Sequence, residues 1–255
     1  AALYVHHAEG IEQVGDDGAR MRYAEFATRR YSALATAEGL LVGTPEELGY
    51  NQPLTLLAPG PSYLPLALQF EGVESMAQGE AVFIAMRSGK IARLGANGLE
   101  NYAQLAAGTL LLAAGEQGVL YALHRESKAL WALRDLDGDG AVRGPLEVVH
   151  LSFVDGEAVA LSWIGETLYI GVKDGRVWRL DGRLLELFAE GFAPALLALS
   201  AGPGGGLYAL EGDARGGRLV QLRPPVPKIG IWPDRVNFGR VVLGGEGLAE
   251  VVLRN

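Results

Sequence analysis

Cysteine is absent from this sequence of 255 residues. The absence excludes disulfide bonds, thiolate nucleophiles and zinc sites built on sulfur, and it leaves the redox compartment undetermined. No run of about 18 apolar residues occurs either, so the sequence predicts no membrane-spanning helix and no direct insertion into a membrane. These absences narrow the chemistry open to the chain without naming a function.

Lysine is scarce, with four residues in the whole sequence. Arginine supplies 18 of the 22 basic residues, a usage that indicates a high-GC, thermophile-like source. The net charge is −8 at pH 7, with an isoelectric point near 5.1. An acidic chain of this kind argues against nucleic acid or an anionic membrane surface as a partner.

Glycine, in contrast, is abundant, with 36 residues beside 12 prolines and a hydrophobic content of 49%. One apolar strand pattern, Gly118-Val-Leu-Tyr-Ala-Leu-His124, recurs along the chain. Its six variants begin near Leu3, Leu40, Val82, Leu120, Leu168 and Leu207. A period of about 40 residues with several short strands in each unit is typical of propeller blades.

We therefore expect an all-β fold, a six-bladed β-propeller over residues 1–223. Its blade core strands are predicted near 3–7, 40–44, 82–86, 120–124, 168–172 and 207–211. Residues 20–38 have a helix-favouring composition, but their aromatic and threonine content and the repeat register predict strand instead. A proline-rich linker follows at 224–228, and residues 229–255 form a separate β segment.

That last segment carries a family resemblance. Pro233, Val236, Phe238, Gly239, Gly244 and the final 252–255 stretch resemble the opening of an immunoglobulin-like domain of the ASPM–SPD-2–Hydin (ASH) type. Such a domain needs about seven strands and roughly 100 residues, and only two or three strands are present. Two interpretations stay open. The segment is part of an Ig-like module, or it supplies the strand that the first blade lacks and closes the ring.

The sharpest motif for chemistry is an aspartate turn. Asp135, Asp137 and Asp139 alternate before Gly140, which is how a calcium-binding loop begins. The rest of the EF-hand pattern fails, because the twelfth position is Leu146 and the glutamate comes one residue later. An ordinary acidic turn is the favoured alternative, since Asp-Gly pairs mark several other turns of the chain.

The stretch 133–140, with a blade after it, also resembles aspartate-rich turns in propellers of the quinoprotein sugar-dehydrogenase type. The resemblance implies a calcium-supported enzyme with a base and several cofactor-clamping Arg and Lys residues in the central channel. No such residues can be aligned here. The strands predicted to lie innermost, near 110–112, 158–160 and 196–198, are apolar, which disfavours this enzyme class.

Two histidines share one position in the repeat. His7 and His124 end the core strands of the first and fourth units, and Glu211 holds that position in the sixth. A metal needs ligands within about 2.0–2.6 Å, which blades on opposite sides of a ring cannot provide. We therefore predict structural histidines at the rim, and no catalytic or cofactor-binding residue is assigned.

The function expected from these features is non-catalytic. We expect an exported scaffold or protein-binding module of the cell envelope, in the periplasm, at the cell surface or outside the cell, which uses a propeller face and the C-terminal strands for assembly. The chain opens on Ala1-Ala2, as after signal-peptide removal, although a trimmed chain would begin in the same way. The alternatives are a propeller enzyme, either a quinoprotein-like sugar dehydrogenase or a lactonase-type hydrolase with calcium at the aspartate turn, and a subunit whose tail completes a neighbour's sheet.

Overall fold

The computed structural model describes residues 72–95, 98–201, 206–213 and 216–222, and outside these ranges Ala19 and the strands given below. Within this part of the chain every regular element is a β-strand, which confirms the all-β prediction. Residues 20–25 and 32–36 are among these strands, as the repeat register and the aromatic and threonine content predicted. No described helix is long and apolar enough to span a bilayer.

Among the described strands of residues 3–222, six sheets follow one another along the chain. The first sheet contains β1 (Leu3–His7), β2 (Gly10–Val14) and β3 (Arg20–Glu25). The second contains β4 (Ser32–Thr36), β5 (Gly39–Gly43), β6 (Leu54–Leu57) and β7 (Tyr63–Pro65). The third contains β8 (Val73–Gln78), β9 (Val82–Met86), β10 (Lys90–Gly95) and β11 (Gly98–Gln104).

The remaining three sheets repeat the plan. The fourth contains β12 (Leu110–Ala114), β13 (Leu120–His124), β14 (Ala129–Leu133) and β15 (Val148–Phe153). The fifth contains β16 (Ala158–Ile164), β17 (Thr167–Val172), β18 (Val177–Asp181) and β19 (Leu184–Ala189). The sixth contains β20 (Leu196–Ala201), β21 (Leu207–Asp213) and β22 (Gly216–Leu222).

Each sheet is an antiparallel meander in which neighbours in sequence are neighbours in space. Short glycine turns make this possible, because a tight hairpin needs positive φ values that other residues rarely adopt. Gly89 and Gly175, at equivalent turns of the third and fifth sheets, have φ values of 84° and 91°. The regular spacing of glycine in the sequence is therefore the direct cause of the regular spacing of strands.

Three of the sheets share a β-bulge at the same position. In the third, fourth and fifth sheets the pairing of the third and fourth strands shifts register at the same place, after Ile91, Leu130 and Val177. Such a bulge adds one residue to the outer strand and increases its twist. Three sheets with the same twist pack face to face in the same way.

The core lies between sheets. The first strands β4, β8, β12, β16 and β20 lie side by side in chain order. Fully buried side chains such as Leu110, Leu120 and Leu133 fill the space between the third and fourth sheets, and Ile170 and Val172 contribute to the space between the fourth and fifth. A single sheet with two apolar faces cannot bury both alone, and stacking against its two neighbours solves this.

The chain divides into two compact units, residues 1–222 and 223–255. In the second unit β23 (Gly230–Trp232) pairs with β24 (Val252–Arg254) in a two-stranded antiparallel sheet. The linker 224–228 and the residues Pro233 to Gly244 that carry the Ig-like resemblance lie outside the described residues. The nature of the segment 229–255, as an Ig-like piece or as closing strands, stays a prediction.

Candidate functional site

The aspartate turn is the long connection between β14 and β15, residues 134–147. Asp135 organises it, because its two carboxylate oxygens accept hydrogen bonds from the N–H groups of Gly138 (2.8 Å) and Gly140 (2.9 Å). Both glycines have positive φ, at 77° and 87°. The Asp-x-Asp-Gly-Asp-Gly spacing therefore folds the turn tightly around its first carboxylate.

The three predicted ligands lie together. One carboxylate oxygen from each of Asp135, Asp137 and Asp139 falls within 4.8 Å of the others. Part of their capacity is used inside the turn, since Asp139 accepts from the N–H of Ala141 and from the guanidinium of Arg143, each at 2.8 Å. A carboxylate has about four lone-pair sites, so each of the three keeps acceptor capacity for a cation.

Glu147, which the sequence pattern left without a role, closes the turn from inside. Its Oε2 accepts from the N–H groups of Gly144 (2.8 Å) and Arg143 (2.9 Å), and its Oε1 accepts from that of Leu136 (3.0 Å). These backbone donors lower the pKa of Glu147 from its ordinary value of 4.5 to about 2. The carboxylate is therefore a structural acceptor and not a fourth oxygen in the aspartate cluster.

The turn also joins two sheets. The N–H of Val142 donates to the carbonyl oxygen of Tyr102 on β11 at 2.6 Å. The backbone N–H of Asp135 donates to the Tyr102 hydroxyl, and the pKa of that hydroxyl is raised, chiefly by burial and then by the Asp135 charge. The fourth sheet thus holds the outer strand of the third through this connection, which explains why the fourth repeat is longer than the others.

Both ring nitrogens of His124 are engaged by backbone groups of the chain around it. Its side chain is buried, and its Nδ1 lies 3.1 Å from the backbone N–H of Ser127. Because a backbone N–H can only donate, Nδ1 is the acceptor and Nε2 carries the proton. Nε2 then donates to the carbonyl of Ala107 at 3.0 Å. The side chain of His7, at the same repeat position, lies outside the described residues.

Glu211 makes the equivalent contact in the sixth sheet, but its side chain accepts the hydrogen bond from the backbone instead of donating one. Its buried carboxylate accepts from the N–H of Ala193 through Oε2 at 3.3 Å and from Nε of Arg218 through Oε1 at 2.6 Å. Ala107 and Ala193 each lie three residues before the first strand of their sheet. The side chain at the repeat position of His124 and Glu211 therefore holds the chain segment that leads into the first strand of the same sheet.

The ring of His150 packs against aromatic side chains. The ring of His150 lies 4.9 Å from that of Trp131 and 4.5 Å from that of Phe153. Its Nε2 is buried without a hydrogen-bond partner. Within the described part of the chain, the ring of His124 is hydrogen-bonded and the ring of His150 packs against two aromatic rings.

The two rims of the sheets differ in charge. In an antiparallel meander the first and third turns of a sheet lie at one rim, and the second turn and the connection to the next sheet lie at the other. In the third to fifth sheets, the first and third turns cover residues 79–81, 115–119, 134–147, 165–166 and 182–183. These turns carry seven carboxylates and three arginines. We call this the acidic rim.

The opposite rim is balanced. Its turns and connections cover residues 87–89, 105–109, 125–128, 154–157, 173–176 and 190–195 of the same sheets. They carry five carboxylates and five basic side chains. The excess negative charge of this part of the chain is therefore concentrated at the acidic rim.

Exposed leucines accompany the acidic rim. Leu136 and Leu146, at the two ends of the aspartate turn, are 55% and 79% exposed, and Leu184, next to the turn at 182–183, is 73% exposed. Single exposed leucines are common on protein surfaces. Three of them lie on this rim, two in the fourth sheet and one in the fifth.

No family model and no curated protein matches the chain. Among solved structures, a streptogramin B lyase is 14% identical, with 88% of this chain and 80% of that chain covered and a TM-score of 0.60. A gluconolactonase from Xanthomonas campestris is 15% identical over 80% and 76% of the two chains, with a TM-score of 0.64. An auxiliary nutrient binding protein from Bacteroides thetaiotaomicron is 6% identical over 82% and 63%, also with a TM-score of 0.64.

At these identities the likeness concerns the fold and not the chemistry, and the proteins compared include enzymes as well as a binding protein. Together with the successive antiparallel sheets and their shared cores, it identifies this chain as an all-β propeller.

Proposed function

We propose that this chain is a non-catalytic module of the cell envelope, exported from the cytoplasm, that binds another protein through the acidic rim of a six-bladed propeller. Each of the six sheets counts as one blade. The observation that carries the proposal is the coincidence of three exposed leucines, Leu136, Leu146 and Leu184, with the carboxylates of that rim.

The leucines and the carboxylates of the rim would contribute to binding in different ways. Burying the leucines against a partner removes apolar surface from water, which supplies affinity. The surrounding carboxylates attract and orient a basic partner surface and repel acidic ones, which supplies specificity and a faster encounter. A basic segment with apolar side chains is the partner chemistry that this rim fits.

The inner strands favour binding over catalysis. β8, β12, β16 and β20 contain no Arg, Lys or His, and β12 presents only Leu and Ala. A quinone cofactor of the kind held by sugar dehydrogenases needs clamping Arg and Lys residues in the channel, so these described strands do not fit it. The occupied side chains of His124 and His150 point the same way.

The C-terminal unit is proposed to contribute to assembly. Among the described residues β23 and β24 pair only with each other, and a two-stranded sheet is marginal in isolation. Completion by further strands, either within an Ig-like module or from a neighbouring chain, would stabilise it.

The second candidate is a propeller enzyme with calcium at Asp135, Asp137 and Asp139. The observation that favours it is the convergence of three carboxylate oxygens within 4.8 Å. Hard oxygen donors in a tight turn suit calcium, which would neutralise the turn and fix its shape. The lyase and the lactonase that share the fold are both enzymes, which keeps a lactonase-type hydrolase among the alternatives.

Site-directed photo-cross-linking tests the binding proposal. A photo-reactive residue replaces Leu146 on the acidic rim in cells of the source organism, and a matched variant carries it at Phe153, which is 66% exposed on the opposite rim. We expect one discrete cross-linked protein from the Leu146 variant, located in the envelope fraction. Equal cross-linking from both positions, or cytosolic fractionation of the chain, contradicts the proposal.

Calorimetric titration of metal-stripped protein with calcium tests the alternative. Micromolar binding that is lost in Asp137→Ala and kept in Asp181→Ala, a carboxylate at an ordinary turn, would support a calcium site. Absence of heat together with an unchanged melting temperature would leave the aspartate turn as a structural connection.

A further inference from the structure

A cavity of about 540 Å³ lies between the third and fourth sheets at the acidic rim. It is bounded by the turn between β8 and β9, the turn between β12 and β13, and the ends of β10 and β14. Its polar lining comprises Glu80, Arg93, Glu100, Tyr102, Gln117, Arg134 and Asp135. Small-molecule sites in proteins have volumes of roughly 300–1,000 Å³, so the cavity is large enough for one.

The cavity lies beside a position of the repeat where the side chain is small. In the next interface, Tyr121 of the fourth sheet stacks on Trp163 of the fifth, with ring centroids 5.3 Å apart and planes 13° apart. By strand register the equivalent of Trp163 in the fourth sheet is Ala114, since these residues pair with Leu168 and Leu120. Phe83 therefore has no aromatic partner across the interface, and both it and Ala114 line the cavity.

Part of the polar lining is already satisfied. The guanidinium of Arg93 bonds Glu100 at 2.6 Å, and both oxygens of Asp135 are engaged within the aspartate turn. The side chains of Glu80, Gln117 and Arg134 have no hydrogen bond or ion pair with any described residue, and they remain for a ligand. Gln117 lies at a tight turn with φ of 53°, a conformation for which Asn or Gly is usual, and there its carboxamide lies at the cavity wall.

These three groups define the class of ligand. One carboxylate accepts, one guanidinium donates and one carboxamide does both, and the two free charges cancel. An ionic ligand of either sign would meet its own charge on one wall. A hydroxyl group donates and accepts at once, so a molecule with several hydroxyls matches all three partners without bringing a charge into the cavity.

We propose that this inter-sheet cavity binds a small neutral saccharide, a mono- or disaccharide, through Glu80, Gln117 and Arg134. The cavity lies on the same rim as the exposed leucines, because Asp135 lines it and Leu136 follows Asp135, but saccharide binding through its lining does not require a protein partner. The saccharide would lie where an aromatic ring lies in the neighbouring interface.

Saturation-transfer NMR on the full chain tests the proposal, with glucose, galactose, N-acetylglucosamine, maltose and lactose as probes. We expect transfer to at least one of them, and calorimetry then gives its affinity. Ala114→Trp should fill the cavity as Trp163 fills the next interface and lower the affinity at least tenfold. The matched control is Ala201→Trp, the equivalent position in the sixth sheet, where affinity should stay unchanged.

A second pair of variants guards against a folding defect in Ala114→Trp. Glu80→Gln and Arg134→Gln alter exposed side chains, and each should weaken saccharide binding at least tenfold at an unchanged melting temperature. Failure of all five probes overturns the proposal. Binding that survives in Ala114→Trp and in both polar variants overturns it too, as does transfer to the zwitterion glycine or to cationic lysine in place of the sugars.

Discussion

The imidazole of His124 donates a hydrogen bond from Nε2 to the carbonyl oxygen of Ala107, at 3.0 Å. Two sheets further on, the corresponding bond has the opposite direction, because the N–H of Ala193 donates to the carboxylate of Glu211. The repeat thus fixes one contact, between the end of a core strand and the entry to its sheet, while leaving open which partner donates. A repeat position can be structural even where its residue type suggests chemistry.

The cost of a substitution at His124 should depend on whether the new side chain can donate a hydrogen bond to the Ala107 carbonyl. His124→Gln keeps a donor for the Ala107 carbonyl, whereas His124→Glu places an acceptor against an acceptor in a buried site. We expect a loss of about 1 kcal/mol in the free energy of unfolding for the Gln variant and about 3 kcal/mol for the Glu variant. Urea unfolding of both variants gives the values. Equal losses would mean that the hydrogen bond to Ala107 contributes nothing.

Acid stability should depend on Glu147. Its pKa is lowered in the folded chain to about 2 from the ordinary 4.5, so its contribution is fully present above about pH 4.5 and is lost as the pH falls toward 2. Glu147→Gln should lower the melting temperature at pH 7 and flatten its fall between pH 5 and 2, a window that the cited pKa values set. Thermal melts across this range measure both effects.

The control for that experiment is Glu186→Gln. Glu186 pairs with Arg179 at 2.7 Å, and both side chains are about half exposed. Exposed pairs of this kind contribute roughly 0–1 kcal/mol. The acid-melting profile of this variant should follow that of the unmodified chain, and a change as large as that of Glu147→Gln would remove the special role assigned to the turn.

Two turn glycines should differ sharply in their tolerance of alanine. A Cβ at Gly175 would lie 2.2 Å from the carbonyl oxygen of Phe192, whereas a Cβ at Gly182 would meet nothing within 4 Å. Both have positive φ, so each alanine costs about 1 kcal/mol in backbone strain. Gly175→Ala should cost at least 2 kcal/mol more than Gly182→Ala, because a backbone group must shift. Denaturant unfolding of the pair checks the difference.

The stacked pair Tyr121 and Trp163 should be a main contributor to the interface between the fourth and fifth sheets. Trp163→Ala removes the stacking and opens a cavity like that beside Phe83, and we expect a loss of about 2–4 kcal/mol in the free energy of unfolding. Trp163→Phe keeps a ring against Tyr121 and should lose less than half of that. A loss below 1 kcal/mol for the alanine variant would contradict this prediction. It would also indicate that an open cavity between sheets costs little stability.

Much of the fold was readable from the sequence because its causes are local. The apolar core strands recur with glycine turns beside them, and alternation along each strand decides which side chains face a neighbouring sheet. Asp135, Asp137 and Asp139 could be grouped for the same reason, since they lie within five residues of one another and a tight turn brings them together.

What only the tertiary structure decided depends on how the turns and connections close and on contacts between sheets. The role of Glu147 follows from three N–H groups that the folded turn gathers around it, and the occupation of His124 follows from Ala107, 17 residues away. The cavity beside Phe83 is also lined by Ala114, although an alanine on an apolar strand gives no sign of this in the sequence. A repeat sets which elements form, and the packing of one sheet on the next sets which side chains remain free to bind.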